Sequence, residues 1–200
     1  MKFTDLDWTS WTPVETATLM FIRQNGMVLL IRKRKGMGAG LLNGPGGRID
    51  PGETPAQCAV RETSEELRVT PLDPREAGVL NFRFTSGYSL RCHVFTATAF
   101  RGTPETTPEA IPLWIDEREM PYSQMWADDR IWYPLVLQNR RFVGRFLFDD
   151  AIMLGAELDV APADPASPPS PSLAAQGGIA DLAIPVGPAP APDGFEGAPS

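Results

Sequence analysis

Between Thr16 and Phe148 the chain passes through runs of two kinds, one with apolar residues at strand spacing and one at helical spacing. Thr16 to Gln24 and Met27 to Lys33 are rich in aliphatic residues and predict two strands, with Asn25-Gly26 as the tight turn of a hairpin. Gly78 to Thr85 and Ser89 to Phe100 predict two more around Ser86-Gly87. Phe82, Phe84, Phe95 and Phe100 are expected in the core on one side, with one free to line a pocket. Ile111 to Ile115 predicts a short strand, and Pro112, which lacks an N–H, suits a sheet edge. Phe142 to Phe148 predicts a last strand. Two stretches follow the helical period instead. Thr54, Pro55 and Gln57 spell a helix start: a capping hydroxyl, a proline at the first position and an amide reaching back. Ala56, Val60, Thr63 and Leu67 then share one side of that helix. Ile131, Trp132, Leu135, Val136 and Asn139 predict a second helix, whose first turn Pro134 places close before it.

The first helix gathers acids on another face. Glu62, Glu65 and Glu66 recur at spacings of three and four and repel one another, at about 0.2–0.5 kcal/mol per pair. A solvated acidic face is the plain explanation. A cluster of hard oxygen ligands is the other, and it suits Mg²⁺ or Mn²⁺ rather than Zn²⁺. Two features favour the metal. Arg61 can hold one carboxylate in a bidentate pair and free the rest. The glycine-rich entry, whose turns at Gly46-Gly47 and Pro51-Gly52 can bring Glu53 and a bare backbone carbonyl toward that face, is costly unless the backbone must approach something closely.

Charge and composition divide the chain. Residues 1–150 hold all 18 Lys and Arg and 19 of the 25 acids, so that part is close to neutral. The rest has no basic residue, and an acidic tail on a near-neutral domain argues against a nucleic-acid-binding face. Residues 1–13 form a polar, tryptophan-containing lead-in without the apolar run of a signal peptide, and no stretch is long and apolar enough to span a membrane. From Asp159 to Ser200 the chain is rich in Pro, Ala, Gly and Ser, a composition expected to be disordered, with Gly177 to Ile184 as at most a weak docking segment. The expected organisation is a lead-in (1–13), one domain (14–150) and a tail (151–200). Cys58 and Cys92 read as buried thiols of a reducing compartment, and His93, the only histidine, reads as structural. Lys33, Arg34 and Lys35 are either a solubilising strand end or a positive rim for a polyphosphate. Asn43, alone among glycines, is either a turn former or a reader of a base edge.

One pattern goes further. Gly47, Glu53, Arg61-Glu62 and Glu65-Glu66 stand at the spacing of the Nudix box, and the chain resembles the Nudix hydrolases. It departs from that box at Thr63, where an aliphatic residue is usual, and at Arg68, where glycine usually ends the helix. The likeness runs from about Thr16 to Phe148. It is strongest to the branch that acts on oxidised purine nucleoside triphosphates, through Lys35 to Gly40, Asn43 to Gly47, His93 to Phe95, Arg101 to Pro104, Met125 to Asp129 and Trp132 to Leu135. The resemblance implies an α+β Nudix fold, a mixed sheet sandwiched between helices. It implies Mg²⁺, with Mn²⁺ as a substitute, on the Gly46 carbonyl, Glu62, Glu65, Glu66 and Glu109. Glu65, Glu66 and Glu109 are its candidates for the base that activates water. Asn43, Trp126, Asp128 and Asp129 would hold the purine, with Phe82 as a wall and Lys33 on the phosphates. Gly47, Glu53 and Arg61 would be structural, Glu53 pairing with Arg61. Leu42 and Pro45 stand where aromatics are expected, which alters the pocket wall. The reaction implied is hydrolysis of 8-oxo-dGTP and related nucleotides to monophosphate and pyrophosphate, by a cytoplasmic monomer with no nucleic acid or membrane partner. The alternatives are another Nudix substrate (an unmodified nucleotide, a dinucleotide polyphosphate, ADP-ribose or an RNA 5′ end) and a non-catalytic nucleotide-binding module.

Overall fold

A computed structural model describes residues 1–162, and the statements below concern those residues. The hairpin is as the pattern predicts. β1 (Glu15–Gln24) and β2 (Met27–Lys33) are antiparallel, and Asn25 and Gly26 both take positive φ, the requirement of the tightest hairpin turn. The short β3 (Leu42–Asn43) pairs with the far end of β2. α1 (Pro55–Leu67) starts at Thr54 with its capping box complete: the Thr54 hydroxyl accepts from the Gln57 N–H, and the Gln57 side chain accepts from the Thr54 N–H. Arg68 itself supplies the left-handed exit that glycine usually provides, at φ 62°.

β4 (Val69–Leu72) follows, and then β5 (Arg75–Phe84) and β6 (Ser89–Ala97) form the second hairpin. The strand expected to run on to Phe100 stops at Ala97. β7 (Ala99–Gly102) leaves the main sheet and pairs with β4 under the exit of α1. β8 (Ala110–Asp116) pairs with β2, α2 (Asp129–Leu137) crosses next, and β9 (Phe142–Asp149) lies parallel to β5. β10 (Ile152–Val160) pairs with β9, and β1 also runs parallel to β6, so the sheet is mixed, in the order β10-β9-β5-β6-β1-β2-β3 with β8 beside β2.

α1 and α2 cover opposite faces of this sheet. Met20, Ile22, Leu29 and Ile31 point to the α1 side with Ala59 and Leu67; Phe21, Val28 and Leu30 point to the α2 side with Trp132 and Tyr133. The period of two along β1 and β2 therefore feeds two cores. Two expectations change. The α1 side that is buried carries Cys58, Ala59, Thr63, Glu66 and Leu67, and Val60 is only half-buried. The four phenylalanines split between the faces: Phe82 and Phe84 pack on the α2 core, Phe95 and Phe100 on the α1 core.

The boundary at Asp150 is also corrected. A turn with Asp150 at φ 53° leads into β10 (Ile152–Val160), paired antiparallel with β9 along its length. Met153, Leu158 and Val160 pack against the α2-side core, so the domain runs past the point where the composition changes. The lead-in is docked as well. Phe3 packs on Gly155 of β10, and Arg83 and Arg91 lie over the rings of Trp8 and Trp11 at 5.8 and 5.4 Å. The expected docking segment at Gly177 to Ile184 lies outside the described residues. No helix among them is long and apolar enough to cross a membrane.

Candidate active site

The acidic edge is built where the loop before α1 meets β1. A side chain at Gly46 would overlap the Thr18 carbonyl, and one at Gly47 would overlap the Glu62 carboxylate. These two glycines are thus fixed by close approach of backbone and carboxylate, not by the turn alone. The Gly46 N–H donates to Glu66 Oε2 at 2.9 Å. Glu66 is 3 % exposed, and burial pushes its carboxyl up to about 7, against the pull of the Gly46 N–H and the Lys33 charge. Cys58 lies close by, accepting from the Thr18 hydroxyl, and burial pushes its thiol up to about 11, which leaves it inert as a nucleophile.

Arg61 organises the other acids. Its Nε and Nη2 hold both oxygens of Glu53 at 2.9 Å, which keeps the Glu53 carboxyl well below its usual range. Its Nη1 meets Glu62 at 2.7 Å and Glu65 at 3.4 Å. Glu65 is largely exposed. Glu109 is half-exposed and pairs with Lys35 at 2.9 Å. The helix therefore brings Glu62 and Glu66 to the glycine turn, while Arg61 pairs with both Glu62 and Glu65 and Lys35 holds Glu109. No three of these groups converge as a ready ligand set among the described residues. The donors fit a hard divalent cation in chemistry: all are oxygens, and the buried Glu66 carboxyl is matched by a single N–H at 2.9 Å. Thr107 was not legible in advance. Its buried hydroxyl donates to the Glu66 carbonyl at 2.9 Å and accepts from the N–H groups of Glu109 and Ala110, tying the Glu109 loop to the end of α1.

Beside this edge opens a cavity of about 280 Å³ on the α2 side of the sheet. Asn43, Phe82, Trp126, Asp128, Asp129 and Lys33 all line it, so every residue expected to touch substrate reaches one space. The Asn43 side-chain oxygen accepts from the Gly44 N–H at 2.8 Å, as in a turn, and the residue lines the cavity. The basic run after β2 divides its labour. Lys33 lines the cavity, Arg34 donates to the Thr107 carbonyl at 2.9 Å and Lys35 pairs with Glu109. Gly38 has φ +77°, and a Cβ there would sit 3.0 Å from Trp126 Nε1, so the glycine loop closes directly over the indole.

Asp128 and Asp129 are 3 % and 2 % exposed. Asp128 sits at the helix start but makes no side-chain cap; it accepts from Trp132 Nε1–H at 2.8 Å. Asp129 accepts from the Trp126 N–H at 2.9 Å. Burial raises both carboxyls, and the neighbouring Asp128 charge raises Asp129 further. Of these two adjacent acids in a dry place, Asp128 is steadied by an indole N–H and Asp129 is pushed toward its neutral form. The match of Trp132 to Asp128 at i, i+4 was a signal present in the sequence and unused.

A match to the NUDIX domain spans residues 12–136. The chain belongs to the Nudix family. A protein of Danio rerio named oxidized purine nucleoside triphosphate hydrolase is 43% identical over 132 residues, covering 66% of this chain and 85% of that protein. The protein of the same name from Mus musculus is 37% identical over 134 residues, covering 66% and 86%. A crystal structure of a mutator MutT protein from Bacillus halodurans superposes with a TM-score of 0.66 at 27% identity, over 73% of this chain and 98% of the other. The chain is a Nudix hydrolase with the mixed sheet between helices that the Nudix box implied, and hydrolases of this family generally require a divalent metal ion.

Proposed function

We propose that this Nudix hydrolase cleaves oxidised purine nucleoside triphosphates, 8-oxo-dGTP and its relatives, to the monophosphate and pyrophosphate. One observation carries the reading: two buried, adjacent carboxyls face an aromatic-lined cavity that opens beside the acidic edge. The names of the zebrafish and mouse relatives support it. Oxidation of guanine at C8 turns N7 from an acceptor into a donor and adds an acceptor at O8. Asp128, its charge steadied by the Trp132 N–H, accepts from the base; Asp129, held neutral, donates to a carbonyl oxygen. Trp126 stacks on the ring, worth about 1–3 kcal/mol by analogy with bases on aromatics. Phe82 closes a wall, the Asn43 amide meets a base edge, and Lys33 faces the phosphates.

The Gly46 carbonyl, Glu62, Glu65, Glu66 and Glu109 would hold Mg²⁺, or Mn²⁺ in its place. When bound, the ion neutralises charge on the phosphate oxygens and lowers the pKa of the attacking water. One of Glu65, Glu66 and Glu109 takes that water's proton. Arg61 and Glu53 orient the helix that carries them. The same reading has the protein act as a monomer on free nucleotide in the cytoplasm, without nucleic acid or a membrane.

The test is pyrophosphate release from a nucleotide panel, with and without Mg²⁺. The expected result is the highest kcat/KM for an 8-oxo-purine triphosphate. Faster turnover of ADP-ribose or a dinucleotide polyphosphate would move the protein to another Nudix substrate, and tight binding without turnover would make it a binding module.

A further inference from the structure

The charged Glu15 and Arg48 and the phenol of Tyr88 also line the cavity and take no part in the scheme above. They are far apart in sequence. Glu15 opens β1, Arg48 follows the Gly46-Gly47 turn, and Tyr88 lies in the turn between β5 and β6. In the fold they meet. Arg48 Nη2 lies 2.9 Å from Glu15 Oε1, and the Tyr88 hydroxyl donates to Glu15 Oε2 at 2.6 Å. Both oxygens of one carboxylate are held, from two directions, by two side chains that themselves face the cavity. Arg48 is 73 % exposed and Glu15 24 %. An ion pair that open contributes little to stability, so stability does not account for it.

Its position points to a use. Glu15, Ala17 and Leu19 occupy alternate positions of β1 and all face the cavity, with Glu15 at the outer end. Cys92, in register with Ala17, lies near the Asp128 and Asp129 carboxyls and lines the cavity with them, so the base-reading end lies inward of Glu15. Arg48 adjoins Gly47, against which the Glu62 carboxylate packs, so the acidic edge lies on its other side. A nucleoside triphosphate bound with its base at one end and its phosphates at the other places its sugar between them. Resting on that reading of the site, we propose that Glu15, Arg48 and Tyr88 form a sugar subsite that recognises a ribose hydroxyl. A hydroxyl both donates and accepts. Arg48 has N–H groups beyond the one spent on Glu15 and donates to the hydroxyl oxygen; Glu15 has lone pairs beyond those held and accepts the hydroxyl hydrogen. Tyr88 is a positioning residue: it pins the carboxylate so that donor and acceptor stand side by side.

The experiment compares ribo-, 2′-deoxy- and 2′,3′-dideoxynucleoside triphosphates of one 8-oxo-purine in the wild type, Glu15→Ala, Arg48→Met and Tyr88→Phe. Loss of the recognised hydroxyl is expected to lower wild-type kcat/KM about tenfold or more, since a site built around a hydroxyl is left unpaired without it. A drop between ribo and deoxy assigns the 2′-hydroxyl, and a drop between deoxy and dideoxy assigns the 3′-hydroxyl. In Glu15→Ala and Arg48→Met that step is expected to shrink to within threefold. Tyr88→Phe, which keeps the ring, is expected to raise KM while leaving kcat near wild type. In all three the preference for 8-oxo-purine over plain purine stays as in the wild type. A wild type indifferent to both hydroxyls, or variants that keep the full step, would overturn the subsite while leaving the functional reading intact. Absence of turnover on every triphosphate would overturn both.

Discussion

Asp129 carries the clearest pH signature in the molecule. Its carboxyl is raised by burial and by the charge of Asp128, so the folded protein holds this proton more tightly than the unfolded chain does. Two consequences follow, with definite signs. On the proposed function, affinity for the oxidised base rests on the donor at Asp129, so KM for 8-oxo-dGTP is expected to rise as pH climbs through the pair's titration, with KM for dGTP much flatter. The stability linked to that proton is complete below the unfolded carboxylate range and is lost as pH rises through the folded value. Asp129→Asn keeps the acceptor for the Trp126 N–H and removes the buried charge. It is therefore expected to melt higher than the wild type at pH 8 and equally at pH 4, and because its amide also donates, its 8-oxo-dGTP to dGTP ratio is expected to hold at the wild type's low-pH value at every pH. A KM for 8-oxo-dGTP that still rises with pH in Asp129→Asn would show that the Asp129 proton does not read the base. At the acidic edge, Glu66→Gln retains an oxygen for the Gly46 N–H. Turnover is expected to fall by about two to four orders of magnitude with the fold intact, and a loss of less than tenfold would remove Glu66 from the machinery. The positions of Glu62, Glu65 and Glu66 were legible because helical spacing fixes them. Which carboxylates stay available was not, because that depends on Arg61 and on Lys35, and Lys35 reaches Glu109 only through tertiary contact. The cluster of Glu15, Arg48 and Tyr88 left no trace in the sequence, since no local pattern links three residues from separate elements.

Among the elements, α1 shows where a departure from the family pattern has a structural cost. Arg68 holds φ 62°, a conformation that costs a residue with a Cβ about 1 kcal/mol relative to glycine. Arg68→Gly is expected to raise the melting temperature by about 2–4 °C with activity unchanged. A fall in melting temperature would show that the arginine side chain contributes more than the backbone strain removes. The start of the same helix was fully legible, because Thr54, Pro55 and Gln57 act within one turn. β10 was missed for the opposite reason. Ile152, Leu154, Leu158 and Val160 have strand character, but they adjoin a stretch whose composition favours no structure, and only pairing with β9 decides their state. The split of the phenylalanines between two cores was hidden likewise, since alternation tells which residues share a face and not which face is covered.

For the whole molecule, the corrected boundary makes a prediction with two arms. Ending the chain after Pro162 keeps every contact described above, and the melting temperature is expected within about 2 °C of the full chain. Ending it after Asp150 removes β10 and the surface on which Phe3 docks, and a fall of about 10 °C or more is expected. Equal melting of both truncations would make β10 an ornament of the fold. The order of strands carries one more consequence, and it concerns synthesis. The acids are complete once Glu109 has been made, yet Asp128, Asp129 and the Phe148 wall come later. β5 meanwhile waits for β9, its parallel neighbour, and the α2-side core waits for Trp132, Tyr133 and Phe146. Parallel pairing over such separations forms late in folding. The acidic edge and the base pocket are therefore expected to be completed in the same late step. On the proposed function, cleavage and discrimination would then be completed together rather than in turn.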